Sequence, residues 1–334
     1  MPAPDDAAGV THHITQTRAI RPSDATAAAA WIARDFPVPR ELADGLAKLL
    51  RRLIAQDILR GAVVEDRSGA KSLRQAVAAL GLTGFLSNER AARYLDSPSP
   101  HFELALLDEA RRDGGKGPFL DHDDIARANA GDGLTAFPLL WLQRSSDPQA
   151  PDTRALLMAS QRSFLTVHRG YNLFRILKET TADRADAFVA GGFRERGRIA
   201  AGTPLQSGGG RLRGEHVVFE ANRNDFEQSM PGAAIGPLFM YRPPRCGFTR
   251  PEQQVLESSL DHQTDNDIAA ELDISAPAVA MRWRSIYARV TAQVPSVLRA
   301  GPNASPSVRG KEKRRRIVAF VDDHPEEIRP YAQA

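Results

Sequence analysis

Apolar residues recur along these 334 residues with periods that change from segment to segment, and the changes mark out elements. Over "ELADGLAKLLRRLIAQDILRG", Leu46, Leu49, Leu50, Leu53 and Ile54 return at steps of three and four, one face of a helix expected to end at Gly61. Before it, "QTRAIRPSDATAAAAWIARDF" reads as an extended piece halted at Pro22 and a helix capped by Ser23 or Asp24. The pattern then switches. Two apolar runs, Ala62 to Glu65 and Ala76 to Leu86, flank the turn-rich "DRSGAKS", which predicts two paired strands. Residues 89–132 carry helical patterns broken by "SPSP" and "GGKGP". "LTAFPLLWLQ" is short and almost wholly apolar, a buried central strand. "DTRALLMASQRSFLTVHRGY" predicts a long helix, "NLFRILKETT" a strand, "ADRADAFVAG" a helix, and "GFRERGR" an edge strand opened by Gly191 and Gly192. Glycines 208–210 make a turn before the extended "GEHVVFEAN", and Pro243 with Pro244 in "GPLFMYRPPRCGF" reads as a hinge.

Beyond Phe248 a helical grammar repeats. Thr249 with Glu252 three residues on is a capping box, and Val255 and Leu256 form the buried side of the helix it opens. Thr264 and Asp267 repeat the box ahead of Ile268, Ala269 and Leu272. The turn "DISA" leads to a third helix, in which Val279, Trp283, Ile286 and Val290 share one face. Ala280, Met281, Arg284, Ser285 and Ala288 occupy the other. Two helices joined so tightly cross steeply and leave the outer face of the second one free, the geometry of a helix-turn-helix. No acidic residue interrupts that helix between Ala276 and Val290, and Arg282 and Arg289 flank the outer face.

From Phe248 to Val290 the chain resembles, without a gap, the C-terminal DNA-binding domain of LuxR-type transcriptional regulators. Thr249, Glu252, Val255, Leu256, Thr264, Asp267, Ile268, Ala269, Leu272, Ile274, Ser275, Val279, Ile286, Tyr287 and Val290 carry the resemblance. It departs from the family at His262, where a glycine is usual, at Ala280 in place of lysine, and at Arg282 in place of histidine. The resemblance implies double-stranded DNA as partner and a homodimer whose recognition helices lie about 34 Å apart. It implies Thr264, Met281, Arg282, Arg284, Ser285 and Arg289 as DNA-binding residues. The basic run "RGKEKRRR" follows a Pro/Ser-rich linker. Such a run is either solvated or adds salt-dependent phosphate contacts through Lys311, Lys313, Arg314 and Arg315. The closing "IVAFVDDHPEEIRPYA" predicts a short amphipathic helix with Ile317, Val318 and Val321 inward, against the hairpin or a second copy.

Composition limits the remaining readings. With 42% apolar and 25% charged residues the chain builds a real core, and its length suggests two domains. A net charge of +3 points to no polyanion partner for the whole chain, so the local placement of charge matters more. The single cysteine, Cys246, reads as a small buried residue, and a cytoplasmic protein without membrane spans or an export signal is expected.

Upstream, "RAIRPSDATAAAAWI" and "LKETTADRADAFVAGGFRERGR" are similar to the opening and closing elements of the GNAT acyltransferases, a resemblance of element order over roughly residues 14–200. An active member places a glycine-rich loop after its central strand, where amides reach the acyl-CoA pyrophosphate. "LQRSSDPQAPDTR" keeps Gln143 and Arg144 there but has no glycine, and its two prolines remove donors. The expectation is therefore a non-enzymatic domain with no cofactor that senses a small-molecule or protein signal. In "LDHDD", His122 among aspartates reads as a metal ligand or as helix-capping chemistry, with capping preferred. His168, Arg169 and Tyr171 in "TVHRGYN" face a ligand or make an interhelical contact, and "GGGRLRG" is a hairpin turn.

The expected architecture is an α+β N-terminal domain, a mixed sheet with flanking helices, joined to an all-α C-terminal helix-turn-helix domain. Its expected limits are a flexible tail 1–13, the sensor or assembly domain 14–225, a linker 226–247, the DNA-binding domain 248–295, and a basic linker with a short helix 296–334. The function expected is a DNA-binding transcriptional regulator. Two alternatives stand beside it: a GNAT-like acyltransferase fused to the helix-turn-helix, and a protein-interaction module that no longer binds DNA.

Overall fold

The computed structural model describes residues 15–66, 76–144, 151–206, 210–229, 234–298 and 309–332. The expected N-terminal tail, most of "DRSGAKS", Gly208 and Gly209, and the loop after Arg144 lie outside the described residues.

The extended opening is β1 (Thr15–Ala19), and the two apolar runs are β2 (Leu59–Asp66) and β3 (Val77–Leu86), each antiparallel to its neighbour. Between β1 and β2 lie α1 (Ala25–Asp35), the single turn α2 (Arg40–Ala43) and α3 (Leu46–Ala55). All five predicted apolar residues of α3 are buried. The helix stops at Ala55 rather than Gly61, because Asp57 turns the chain at φ 57° and the apolar residues that follow join β2.

Three helices, α4 (Asn88–Asp96), α5 (Phe102–Asp113) and α6 (His122–Ala130), precede the central strand β4 (Leu134–Gln143). The long α7 (Pro151–His168) leads to β5 (Leu173–Thr181), followed by α8 (Ala185–Ala190), β6 (Arg194–Ile199), β7 (His216–Asn222) and α9 (Arg223–Ser229). The sheet is ordered β1-β2-β3-β4-β5-β7-β6, with β6 at an edge as expected for the segment that Gly191 and Gly192 open. Every pairing is antiparallel except β4 with β5. That parallel pair holds only at Leu134 with Leu173, Thr135 with Arg175 and Ala136 with Ile176. The register of β4 on β3 also slips between Pro138 and Leu140, a bulge suited to a proline that donates no ladder hydrogen bond.

Helices cover both faces. Leu50, Leu53, Leu106 and Leu107 pack with Leu80, Leu82 and Leu139 on one side. On the other, Leu156 of α7 meets Val64 and Ala79, and Phe85, Tyr171, Phe219 and Phe226 form a second core. The segment 226–247, expected as a linker, contributes Phe226, Ile235, Leu238 and Phe239 to that core, and Phe226 stacks on Phe239 at 4.8 Å. Its apolar residues carry no periodic pattern, so their burial depends on the sheet they cover.

The C-terminal helices are α10 (Arg250–Leu260), α11 (Asp265–Glu271), α12 (Ala276–Gln293) and α13 (Arg309–Asp323). Both capping boxes form, with Thr249 N donating to Glu252 at 2.7 Å and Thr264 N to Asp267 at 3.0 Å. Val255, Ile268, Val279, Trp283, Ile286 and Val290 close a third core together with Ile317, Phe320 and Val321. The basic run is therefore the opening of α13, held to the hairpin by those apolar residues, and not a free strip of charge.

Two further features tie this helical unit together and to the sheet. His262 takes φ 59° between α10 and α11, a left-handed conformation that favours glycine. The left-handed conformation costs a residue with a Cβ about 1–2 kcal/mol, partly offset by the larger entropy glycine loses on folding. His262→Gly should thus raise stability by about 0.5–1 kcal/mol in urea denaturation, and a loss would show that the imidazole makes contacts that matter. The C-terminal strap packs back on the sheet domain: Asn129 Nδ2 donates to Pro330 O at 2.7 Å, Ala332 N to Ala126 O at 3.1 Å, and Arg329 Nε to Arg169 O at 2.9 Å. Among the described residues no helix is long and apolar enough to cross a membrane.

Candidate functional site

Beyond Ala136 and Ile176 the strands β4 and β5 no longer pair, and the gap opens at the bulge of β4. Lys178 spans it, its Nζ donating to Pro138 O at 2.9 Å and Leu139 O at 3.2 Å. Burial draws the Lys178 ammonium below its usual pKa, against the charges of Glu103 and Glu179.

The next residue, Glu179, points to the opposite face. Its carboxylate is buried and accepts from His101 N at 2.8 Å, Phe102 N at 3.0 Å and Tyr94 Oη at 3.0 Å. His216 of β7 places Nδ1 2.6 Å from the same group. His101 in turn sets its Nδ1 3.1 Å from Glu103, and the two imidazoles meet edge to face at 5.0 Å. Burial alone would raise the Glu179 pKa, but the bonds from His216, Phe102 and His101 outweigh it and hold the carboxyl below its usual range. For His101 burial acts downward, and Glu103 and Glu179 reverse it to a raised value. His101 has φ 54°, a strained conformation of the kind that collects at functional sites. Beside it lies a cleft of about 10 Å³ lined by Pro37, Pro100, Leu104 and Leu205. Imidazoles oriented by carboxylates accept protons or bind metals. None of this cluster stands out in the sequence, where its members are scattered from 94 to 216 and Glu179 is one of three charged residues in its strand, with Arg175 and Lys178.

The expected DNA-binding residues separate into groups. Arg284 and Met281 are exposed on the outer face of α12, Met281 by 61%, and Arg284 has no hydrogen bond or ion pair among the described residues. Ser285 is exposed on the same face but hydrogen-bonds Glu252. Arg282 reaches Pro251 O at 3.5 Å. Arg289 is engaged by Glu252 at 3.0 Å and Gly247 O at 3.0 Å, and Thr264 caps α11. On α13, Lys311 and Lys313 are exposed and Arg315 pairs with Glu312. Arg314 binds Asp265 at 2.6 Å and lies 4.4 Å over Trp283, on the core side of α12.

The remaining sequence candidates have structural partners. Asp121 caps α6 through Asp124 N at 2.9 Å, and the Lys116 ammonium and that amide bring its pKa to about 2. His122 begins the capped helix, in agreement with the capping reading. His168 Nδ1 lies 2.7 Å from Phe164 O, and burial lowers its pKa to about 4. Tyr171 is buried between the guanidiniums of Arg60 and Arg329, 5.8 and 4.8 Å from its ring. Burial and Glu327 push the Cys246 thiol up to about 12, in line with an inert buried cysteine. Arg144 pairs with Asp66 at 3.0 Å, while the proline-bearing loop after it lies outside the described residues.

No family model and no curated protein matches the chain. Solved structures do match. NAA60 of Arabidopsis thaliana in complex with acetyl-CoA is 14% identical, with a TM-score of 0.37 over 63% of this chain and 99% of that one. A spermidine N-acetyltransferase from Vibrio cholerae is 13% identical, with a TM-score of 0.36 over 64% of this chain and 96% of that one. A putative acetyltransferase of the GNAT family from Desulfovibrio desulfuricans is 14% identical, with a TM-score of 0.33 over 63% and 99%. At such identities and scores the matches assign this chain to no family, and its α+β domain is described by its own seven-stranded mixed sheet with one parallel pair. One expectation is corrected by these matches. The sequence reading makes the chain a non-enzyme, whereas the structures it resembles are acetyltransferases by name, and the non-enzymatic reading is withdrawn.

Proposed function

We propose that the chain joins a GNAT-like acyltransferase domain to a helix-turn-helix module that binds double-stranded DNA. The observation that carries the first half is the parting of the parallel β4–β5 pair in the middle of the sheet. Parted strands present main-chain groups that an extended amide-containing arm, such as that of acyl-CoA, can pair with as an added strand. Lys178 now holds two of those carbonyls. Calorimetry of the full chain with acetyl-CoA tests this directly. Saturable binding is expected, and it should tighten in Lys178→Ala, which vacates the gap. Absence of binding by both proteins at millimolar acetyl-CoA would sink the acyltransferase reading.

The second half is supported by the outer face of α12, where Arg284 is exposed and uncommitted among the described residues. A helix held up by a small core with a free, acid-free face fits a major groove, and a homodimer would place two such helices on a two-fold site. Fragments selected from a genomic library supply the probe. Arg284→Ala is expected to weaken binding to a selected fragment by about 1–3 kcal/mol, roughly 5- to 150-fold, if it reads a base edge. Unchanged affinity in a titration of labelled DNA would remove Arg284 from the interface.

A further inference from the structure

The structure assigns to His101, Glu179 and His216 a binding site for a divalent transition metal of the zinc class. The inference depends on neither the acyl-transfer nor the DNA reading. One donor atom from each of the three residues lies within 4.8 Å of the others, and Glu179 and His216 are buried. A tetrahedral zinc ion with ligands about 2.0–2.2 Å away holds its donors roughly 3.4 Å apart. The cluster therefore closes on a metal by a shift of about an ångström, well within a rotamer adjustment.

The surroundings are those of a metal centre. Zinc-binding histidines are commonly oriented by a carboxylate or carbonyl on the other ring nitrogen. Here Glu103 holds His101 Nδ1 at 3.1 Å and leaves Nε2 as donor. Glu179 is fixed by two backbone amides and Tyr94 Oη, so its oxygens are set before any ion arrives. His216 gives a nitrogen by tautomer exchange, moving its ring proton to the other nitrogen. Two histidines and one glutamate leave a tetrahedral ion one open position. A cleft of about 10 Å³ that His101 itself lines has room for about one water. The cleft is walled by Pro37, Pro100, Leu104 and Leu205, from the α1–α2 connection, the start of α5 and the β6–β7 connection.

The test uses the full-length protein and metal salts alone. After dialysis against Zn²⁺ and then metal-free buffer, about one equivalent should remain. Co²⁺ should give the visible absorption of a tetrahedral site, displaced by Zn²⁺. His101→Asn is the diagnostic variant, because asparagine tolerates the φ of 54°, and it should lose the retained zinc and the Co²⁺ spectrum. Glu103→Gln, which keeps all three ligands, should bind 10- to 100-fold more weakly, with an unchanged circular dichroism spectrum. Sub-stoichiometric zinc in the unmodified protein overturns the site. So does a His101→Asn protein that retains the metal, or a Glu103→Gln protein that binds as tightly as the unmodified chain.

Discussion

Replacing Glu179 with alanine is expected to lower the unfolding free energy by about 3–5 kcal/mol, the range for removing one member of a buried charged network. The side chain accepts from Tyr94, His101, Phe102 and His216 in a position that is 5% exposed. Each partner left buried without an acceptor costs about 1–3 kcal/mol; some relax toward the cleft, which keeps the total below their sum. Glu195→Ala is the reference. That carboxylate pairs with Arg198 on the surface, where an ion pair contributes about 0–1 kcal/mol. Urea unfolding of both variants decides the matter. Near-equal effects would mean that the Glu179 cluster does not hold the α4–α5 corner to the sheet.

The second large effect is expected at the joint between the sheet domain and the C-terminal strap. Gly170 has φ 83°, and a Cβ there would lie 2.4 Å from Glu326 N and 2.5 Å from the Pro325 carbonyl carbon. Gly170→Ala combines a left-handed alanine, about 1–2 kcal/mol, with a displacement of main chain of about 1–3 kcal/mol. The strap then lifts, taking Arg329 from Arg169 O, Glu257 and Tyr171. Gly202→Ala separates the two contributions, since Gly202 has φ 84° with open space around it. The Gly170 variant should lose about 2–5 kcal/mol and exchange amide hydrogens faster over 325–332. The Gly202 variant should show the conformational cost alone. Equal losses would show that the strap does not press on Gly170.

These two sites differ in how far the sequence announces them. The capping boxes at Thr249 and Thr264, the buried stripe of α12 and the exposure of Arg284 were all legible, because each depends on residues three or four apart in one helix. The strands β2, β3, β4 and β5 were legible for a related reason: sheet burial writes short apolar runs between turn residues. The sequence between Ala55 and Gly61 suits helix and strand alike, and pairing with β3 from Leu59 onward decides that α3 ends at Ala55. Arg289 and Arg314 look like free charges in a basic sequence; folding brings Glu252 and Asp265 to them from distant helices.

The sequence by itself determined the helix and strand alternation, the helix-turn-helix pattern with its outward basic residue, and the lack of glycine in the loop after β4. These are local properties, set by propensity, capping and periodicity. Tertiary structure alone decided the strand order with its one parallel pair, the placement of Lys178 in the gap, and the gathering of His101, Glu179 and His216. Such contacts join residues far apart along the chain. They form because burying the two faces of the sheet fixes β5 beside β7 and the start of α5 above both, and no short-range pattern encodes which distant side chains then meet.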